Sequence, residues 1–177
     1  MATHDSLLAR FDHAEYRLCR RLNRGVEHRW MRVSLKIASR LGDGVIWYAL
    51  MIALPFLHGM QGLRVALIML ATGAAGLAVY KLLKRTFVRE RPFIRHAAIS
   101  LAQAPLDRYS FPSGHTLHAV AFAWQACAAF PELGVVLVPL ALTIAASRVV
   151  LGLHYPTDVL VGALLGAAFG AIGTALQ

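Results

Sequence analysis

Long apolar stretches separated by short polar ones constrain the fold of this chain more than any other feature. Hydrophobic residues make up 58% of the 177 positions, whereas an ordinary soluble domain is about half apolar. A helix that crosses a membrane needs about 20 predominantly apolar residues. The pattern predicts an all-α, polytopic membrane helix bundle with about five spanning helices. The expected spans are residues 44–58, 63–83, 114–130, 133–151 and 157–176.

The first 41 residues differ from the rest, because their apolar positions recur at helical spacing among basic residues. In residues 5–24 the apolar positions are Leu7, Leu8, Phe11, Leu18 and Leu22. Such helices typically lie on a membrane surface, although solvated helices packed on a core would show a similar pattern. The break at Gly42-Asp43-Gly44 then separates amphipathic interfacial helices, over residues 1–41, from a transmembrane domain over residues 42–177.

The basic residues are grouped beside the apolar stretches. The net charge of +9 comes from 18 Lys and Arg against 9 Asp and Glu, and most of the basic residues fall in residues 10–40 and 81–108. This placement favours contact with membrane lipid headgroups or with an anionic substrate. It argues against a nucleic-acid partner, because the chain has no recognisable nucleic-acid-binding module. Cys19 and Cys127 lie at helical positions that suggest neither a disulfide nor a metal site.

Three segments at the ends of apolar stretches carry residues that suit phosphate chemistry. They are Lys84–Pro92 (KRTFVRERP), Pro112–His115 (PSGH) and Ser147–Asp158 (SRVVLGLHYPTD). Charged side chains at such depths are costly and usually functional. Cleaving a phosphate ester without a metal requires groups that hold its charge, a nucleophile in line and a proton for the leaving oxygen. The candidates for holding phosphate are Lys84, Arg91, Ser113, Gly114 and Arg148.

Two histidines are candidates for the covalent and proton-transfer steps. His154 and Asp158 are four residues apart, and Pro156 between them suits the first turn of a helix. Asp158 could therefore orient one ring nitrogen of His154 and leave the other free to attack. His115, on another helix, could protonate the leaving group and then activate water. His118 lies one turn further on, but a zinc site would need more ligands, so no metal or other cofactor is expected.

The three segments together resemble the signature of the type 2 phosphatidic acid phosphatase (PAP2) superfamily. They match it in order and without a substitution, from Lys84 to Asp158. The resemblance implies metal-independent hydrolysis of a lipid phosphate through a phosphohistidine on His154, with Asp158 as its partner and His115 as general acid and base. It also implies that residues 42–177 form a catalytic domain. The phosphate cradle that it implies consists of Lys84, Arg91, Ser113, Gly114 and Arg148.

Other interpretations of the same residues stay open at this point. Lys84 and Arg91 could be headgroup anchors, the role expected for Lys81, Arg85 and Arg89. Ser113 could be only a helix cap. A lipid phosphotransferase would use the same phosphohistidine and differ only in the acceptor. A non-catalytic lipid-binding membrane protein would need neither histidine. The vanadium haloperoxidases share this site, but they are large and soluble.

The substrate and the membrane orientation are less constrained by the sequence. Phosphatidic acid, phosphatidylglycerol phosphate and undecaprenyl diphosphate all present a terminal phosphate. The compact size and short N-terminus resemble those of bacterial family members that recycle undecaprenyl diphosphate, and this resemblance favours that substrate. Five spans place the N-terminus, the 84–115 segment and the His154 turn on one side, which the positive-inside rule assigns to the cytoplasm. The resemblance instead implies a bacterial inner membrane enzyme whose site faces the periplasm or exterior. The sequence indicates no oligomeric state.

Overall fold

The computed structural model describes the backbone of residues 2–177 and the side chains of residue 10 and residues 12–177. Over this range the chain is all α, and its only β pairing is an isolated bridge between Glu90 and Tyr109. The helices are α1 (Ala2–Asn23), α2 (Arg29–Arg40), α3 (Ile46–Thr86), α4 (Pro92–Arg95), α5 (Gly114–Ala129), α6 (Gly134–Val150) and α7 (Pro156–Ala175). A π-helical turn, Leu41–Val45, joins α2 to α3.

Helix α3 contains the first two predicted spans. The chain bends at Gly59, whose φ of 57° and ψ of −136° depart from the helix, and glycine tolerates this conformation because it has no Cβ. Beyond the bend, Gly62 lies directly against the backbone carbonyl of Leu54. The two halves of α3 also contribute to one buried apolar cluster, which includes Trp47 and Met69. The halves therefore pack side by side, as two short spans would.

Three helical stretches are long and apolar enough to cross a membrane, namely Arg29–Thr86, Pro131–Val150 and Pro156–Ala175. With α3 folded back on itself, they account for four of the five predicted spans. The remaining span, predicted at residues 114–130, corresponds to α5, which has 16 residues. It packs against α3, α6 and α7. The expected multi-pass membrane fold is confirmed, with α5 as a short central helix.

The glycines of α7 explain how closely α5 and α7 approach. Gly162 faces the backbone of Ser113 and Gly166 faces the backbone of Leu117, and a Cβ at either glycine would collide with a carbonyl oxygen. Small residues at this spacing let membrane helices pack closely. In this chain Gly162 and Gly166 thus serve packing within the bundle.

The N-terminal helices contact the same end of the bundle that carries the three polar segments. The side chain of Asn23 donates to the carbonyls of Ser100 and Val150 at 3.0 and 2.8 Å. Exposed apolar residues follow the outer sides of α1 and α2, as expected for amphipathic surface helices. They are Leu18, Leu22, Trp30, Val33 and Ile37. The predicted positions Leu7, Leu8 and Phe11 lie outside the described side chains.

Candidate active site

A cavity of about 410 Å³ lies at the polar end of the bundle, between α3, α5 and the turn before α7. Six of the eight predicted site residues line it: Lys84, Arg91, Gly114, His115, Arg148 and His154. The cavity continues along an apolar wall that includes Trp47, Met51, Leu70, Leu77 and Phe122. Tertiary structure therefore joins a cationic, histidine-bearing end to an apolar channel.

Lys84 and Arg91 meet at one carboxylate that the sequence analysis missed. Asp107 forms salt bridges with the Lys84 ammonium and with Arg91 Nη2, the latter at 2.7 Å, and it accepts a hydrogen bond from the Tyr80 hydroxyl at 2.6 Å. Burial raises the pKa of Asp107, but the hydrogen bonds from Lys84, Tyr80 and Arg91 outweigh this effect and hold its pKa at about 2. The two cations thus have an anionic partner already in place.

Arg148 is the least satisfied cation of the site. Its side chain is almost wholly buried, and its Nη1 donates to the hydroxyl of Ser39, on α2. Among the described residues its Nε has no hydrogen-bond partner. Buried donors without partners are rare in proteins, so this cavity-lining guanidinium is suited to an anionic ligand.

The PSGH segment begins α5, as predicted. Ser113 is the N-cap, and its side chain accepts from the Thr116 backbone amide at 3.5 Å. The Ser113 hydroxyl also pairs with the Thr116 hydroxyl at 2.9 Å and is fully buried. Gly114 lines the cavity, and a Cβ there would lie 2.8 Å from the Tyr80 ring. The helix N-terminus, with its positive end, therefore faces the cavity through Gly114, while Ser113 is occupied as a cap.

His154 is buried between the cations and Asp158. Its Nε2 lies 3.3 Å from Arg91 Nη1, and because a guanidinium can only donate, Nε2 must act as the acceptor. The ring proton then belongs on Nδ1, which lies 3.7 Å from Asp158 Oδ2. Burial, Arg148 and Arg91 lower the pKa of His154 well below its ordinary value. The ring is therefore neutral, with its unprotonated nitrogen, Nε2, towards the cationic cluster.

Asp158 is near His154 without a hydrogen bond to it, since 3.7 Å exceeds hydrogen-bond length. Its two oxygens accept instead from Arg89 Nη1 and from the Tyr155 backbone amide, each at 2.8 Å. This arrangement corrects the interpretation of Arg89 as a headgroup anchor. Arg89 points into the protein because a buried carboxylate requires a charged partner.

His115 has its own carboxylate, which the sequence analysis also missed. His115 Nε2 lies 2.5 Å from Asp43 Oδ1, and the Asp43 side chain is one-third exposed. Asp43 belongs to the π-helical turn before α3. His118 has a different role, because its two ring nitrogens lie 2.9 and 3.2 Å from the carbonyls of Gly114 and Gly73. His118 thus faces two backbone carbonyls.

The three acidic residues that the sequence analysis did not identify, Asp43, Asp107 and Glu15, differ in how recognisable they are from the sequence. Asp107 is the only acidic residue between Arg91 and Phe111, and Asp43 stands between two glycines just before an apolar stretch. Their isolation marks both as candidates, although it does not indicate their partners. Glu15, which contacts Arg89, carries no comparable signal because it is one of several acidic residues in the N-terminal segment, with Asp5, Asp12 and Glu27.

Two characterised relatives align with the part of the chain that contains the site. Decaprenylphosphoryl-5-phosphoribose phosphatase of Mycobacterium tuberculosis is 44% identical over 96 residues, which cover 54% of this chain and 51% of that protein. Undecaprenyl-diphosphatase BcrC of Bacillus subtilis is 34% identical over 117 residues, which cover 66% of this chain and 60% of that protein. The chain thus spans little more than half the length of these relatives.

A solved structure extends the similarity to the whole fold. The crystal structure of Aquifex aeolicus LpxE superposes with a TM-score of 0.75 and 28% sequence identity, covering 90% of this chain and 93% of that one. The family model of the PAP2 superfamily matches residues 61–177, a range that includes all three polar segments. The chain therefore belongs to the PAP2 superfamily.

Proposed function

We propose that this protein is a lipid phosphatase that cleaves a phosphate ester or diphosphate through a phosphohistidine, without a metal. One observation carries the proposal: His154 and His115 line the same cavity as the cations Lys84, Arg91 and Arg148. A nucleophile, a proton carrier and a set of anion-binding groups are thus within reach of one bound phosphate, which is what the reaction requires.

The first half-reaction forms a P–N bond and breaks a P–O bond. His154 Nε2 attacks phosphorus while Asp158 stabilises the charge that develops on the ring. His115, paired with Asp43, gives its proton to the departing oxygen. In the second half, His115 takes a proton from water, the water oxygen attacks phosphorus, and the P–N bond breaks. Inorganic phosphate leaves and His154 is again neutral.

The proposed cradle holds the phosphoryl oxygens with charge and with the start of α5. Arg148 has a buried donor, Nε, that no described residue uses. Lys84 and Arg91 become available if phosphate displaces the Asp107 carboxylate from them. The Gly114 amide lies at the positive end of α5 and needs no rearrangement. Ser113 Oγ would first have to leave Thr116, so its contribution to phosphate binding stays a prediction.

The proposed substrate class is a polyprenyl-linked phosphate, with undecaprenyl diphosphate first. The apolar wall of the cavity suits a lipid chain lying beside a phosphate held at the cationic end. The names of both relatives refer to polyprenyl compounds, which favours this class over phosphatidic acid and phosphatidylglycerol phosphate. We place the enzyme in a bacterial inner membrane, with its site towards the periplasm or exterior, and keep the division into residues 1–41 and 42–177 as a proposal.

Phosphate release by the purified full chain in detergent tests the proposal. The assay uses undecaprenyl diphosphate, a decaprenyl phosphosugar, phosphatidylglycerol phosphate and phosphatidic acid, each with EDTA. His154→Ala is compared with His58→Ala, which removes a histidine at the bend of α3, outside the cavity. We expect release to survive EDTA and His58→Ala and to disappear in His154→Ala, and an alkali-stable, acid-labile phosphoenzyme to form only when His154 is present.

Three outcomes would contradict parts of this proposal. Release abolished by EDTA would exclude the metal-independent mechanism. Equal release from His154→Ala would exclude the phosphohistidine. Phosphoenzyme formation without release to water, but with transfer to an added lipid acceptor, would identify a phosphotransferase instead of a hydrolase.

A further inference from the structure

Arg89 and Glu15 form a buried ionic network behind the proposed nucleophile, on the side away from the cavity. Arg89 Nη1 donates to Asp158 Oδ1 at 2.8 Å, and Arg89 Nη2 forms a salt bridge with Glu15 Oε2 at 2.5 Å. Neither Arg89 nor Glu15 lines the cavity. The two residues therefore lack direct access to the substrate but hold the carboxylate that faces His154.

Glu15 is a deeply buried charge on an otherwise surface-lying helix. It is 6% exposed, and its Oε1 accepts from the backbone amide of Thr157 at 2.9 Å and from the Thr157 hydroxyl. An unpaired buried carboxylate is strongly unfavourable. Arg89 and the backbone amide of Thr157, in the first turn of α7, thus explain why Glu15 can be buried. Through these contacts Glu15 holds α1 against that turn.

Arg89 is fixed more firmly than one ion pair would require. Its Nη1 also donates to the Thr157 hydroxyl at 2.8 Å, and its guanidinium lies over the Tyr155 ring, 3.9 Å from the centroid. Burial lowers the pKa of Arg89, but Asp158 and Glu15 more than compensate, so the pKa is raised overall. A guanidinium held on two carboxylates and one aromatic face has little freedom to move.

This geometry determines where Asp158 can point. Arg89 holds Oδ1, the Tyr155 amide holds Oδ2, and Oδ2 is the oxygen that lies 3.7 Å from His154 Nδ1. Asp158 is fully buried, so solvent cannot replace Arg89 as its partner. If Arg89 were lost, the carboxylate would be free to rotate or to take up a proton, and in both cases it would orient His154 less well.

We propose that Arg89 and Glu15 are positioning residues for Asp158, so that α1 is part of the catalytic unit. Glu15 holds Arg89, Arg89 holds Asp158, and Asp158 orients His154. This inference rests on one part of the proposed function, namely that His154 is the nucleophile. It extends the functional protein beyond residues 61–177, the range that the family model matches.

A set of variants with a matched control tests the proposal. The variants are Glu15→Gln, Arg89→Gln, Arg89→Lys and the double variant Glu15→Gln/Arg89→Gln. The control is Asp12→Asn, which removes another carboxylate of α1 whose partner is an arginine, but whose ion pair with Arg95 is 3.8 Å long and half-exposed. Steady-state kinetics in detergent are measured for each variant, together with thermal unfolding to establish the folded fraction.

The expected loss is in kcat and not in KM, because neither residue contacts substrate. We expect kcat to fall roughly 10- to 100-fold in Arg89→Gln and Glu15→Gln, as for other residues that support a catalytic group. Arg89→Lys should retain part of the activity, since it keeps the charge but not the two-pronged geometry. The double variant should be no worse than Arg89→Gln, because the two residues act in series. Asp12→Asn should match the wild type.

The ring nitrogens of His154 provide a readout that does not depend on turnover. In protein labelled with ¹⁵N-histidine, the signal missing from His154→Ala identifies this ring. We expect the Nδ1-protonated tautomer in every variant, because Arg91 still faces Nε2. The Nδ1 signal should match the wild type in Asp12→Asn and should shift in Arg89→Gln and Glu15→Gln, where Asp158 no longer faces Nδ1 in the same way. An unchanged Nδ1 signal in those two variants, fully additive kinetic losses, or equal losses in Asp12→Asn would overturn the proposal. Absence of turnover in the wild type would instead contradict the proposed function and leave the Nδ1 signal as the decisive measurement here.

Discussion

The candidate site has two histidine–carboxylate pairs that differ in how they are held. His154 and Asp158 are 2% and 0% exposed at their side chains and 3.7 Å apart, whereas His115 and Asp43 are 11% and 33% exposed and 2.5 Å apart. In the buried pair, Asp158 is held by hydrogen bonds from Arg89 and from the Tyr155 backbone amide. Among the residues that the structure describes, the more exposed pair is held by its direct contact alone.

The difference matches the two tasks that we propose for the histidines. A nucleophile benefits from a fixed ring and from the exclusion of water, which burial and an external clamp provide. A proton carrier must exchange protons with the leaving group and with water, so partial exposure and one adjustable partner suit it. In this proposal, residues of the same types serve different steps because their surroundings differ.

Asp158→Asn should produce the largest effect, because it removes the negative charge beside His154 Nδ1 that would stabilise the ring when it becomes positive during the attack. We expect kcat to fall about 10³- to 10⁴-fold, as in other sites where such a carboxylate becomes an amide. Rapid-quench measurement of the phosphoenzyme should show slow formation of the P–N bond. A normal rate of phosphoenzyme formation would show that Asp158 has no role in the nucleophilic step.

His115→Gln should have the next largest effect, and the effect should depend on the leaving group. Loss of a general acid typically costs about 10²- to 10⁴-fold, but an ester that leaves without a proton avoids that loss in the first half-reaction. With p-nitrophenyl phosphate, we therefore expect phosphoenzyme to accumulate, because its hydrolysis still needs the missing base. Equal slowing of both half-reactions with both kinds of substrate would contradict this role.

Asp43→Asn should be milder than either change, because asparagine can still accept a hydrogen bond from His115 Nε2. It cannot stabilise a charged ring beside Arg148, so we expect kcat to fall roughly 10- to 100-fold with lipid substrates. The loss should be small for phosphoenzyme formation from p-nitrophenyl phosphate, which needs no general acid. A loss as large as that of Asp158→Asn would remove the distinction between the two pairs.

Asp107→Asn should have the smallest effect, in the direction of tighter phosphate binding. The Asp107 carboxylate competes with phosphate for Lys84 and Arg91. Because a partly exposed ion pair is worth about 1 kcal/mol, inhibition of the variant by inorganic phosphate should be roughly fivefold stronger than that of the wild type. With its pKa at about 2, Asp107 stays ionised between about pH 5 and pH 8. The competition between Asp107 and phosphate should therefore not vary with the ionisation of Asp107 over that range. Weaker inhibition of the variant by phosphate would exclude this competition.

Much of the fold could be predicted because each element has a local cause. Apolar stretches of sufficient length specify membrane helices wherever they occur. Pro156 and Ser113 indicate helix starts from their own chemistry, and α7 and α5 begin at Pro156 and Gly114. The short α5 was predicted at nearly its observed bounds for the same reason, although its central position depends on packing against three other helices.

The sequence by itself determined which residues could carry the chemistry, since spacing and residue type are properties of the chain. It could not determine the pairing of charges. The partners of Asp43, Asp107 and Glu15 are 72, 23 and 74 residues away in the sequence. A buried charge pairs with whichever opposite charge the packing of the helices places next to it. Only the tertiary structure decided that Arg89 turns inward and that α1 reaches the first turn of α7 through Glu15 and Thr157, because both depend on where α7 lies beside α1.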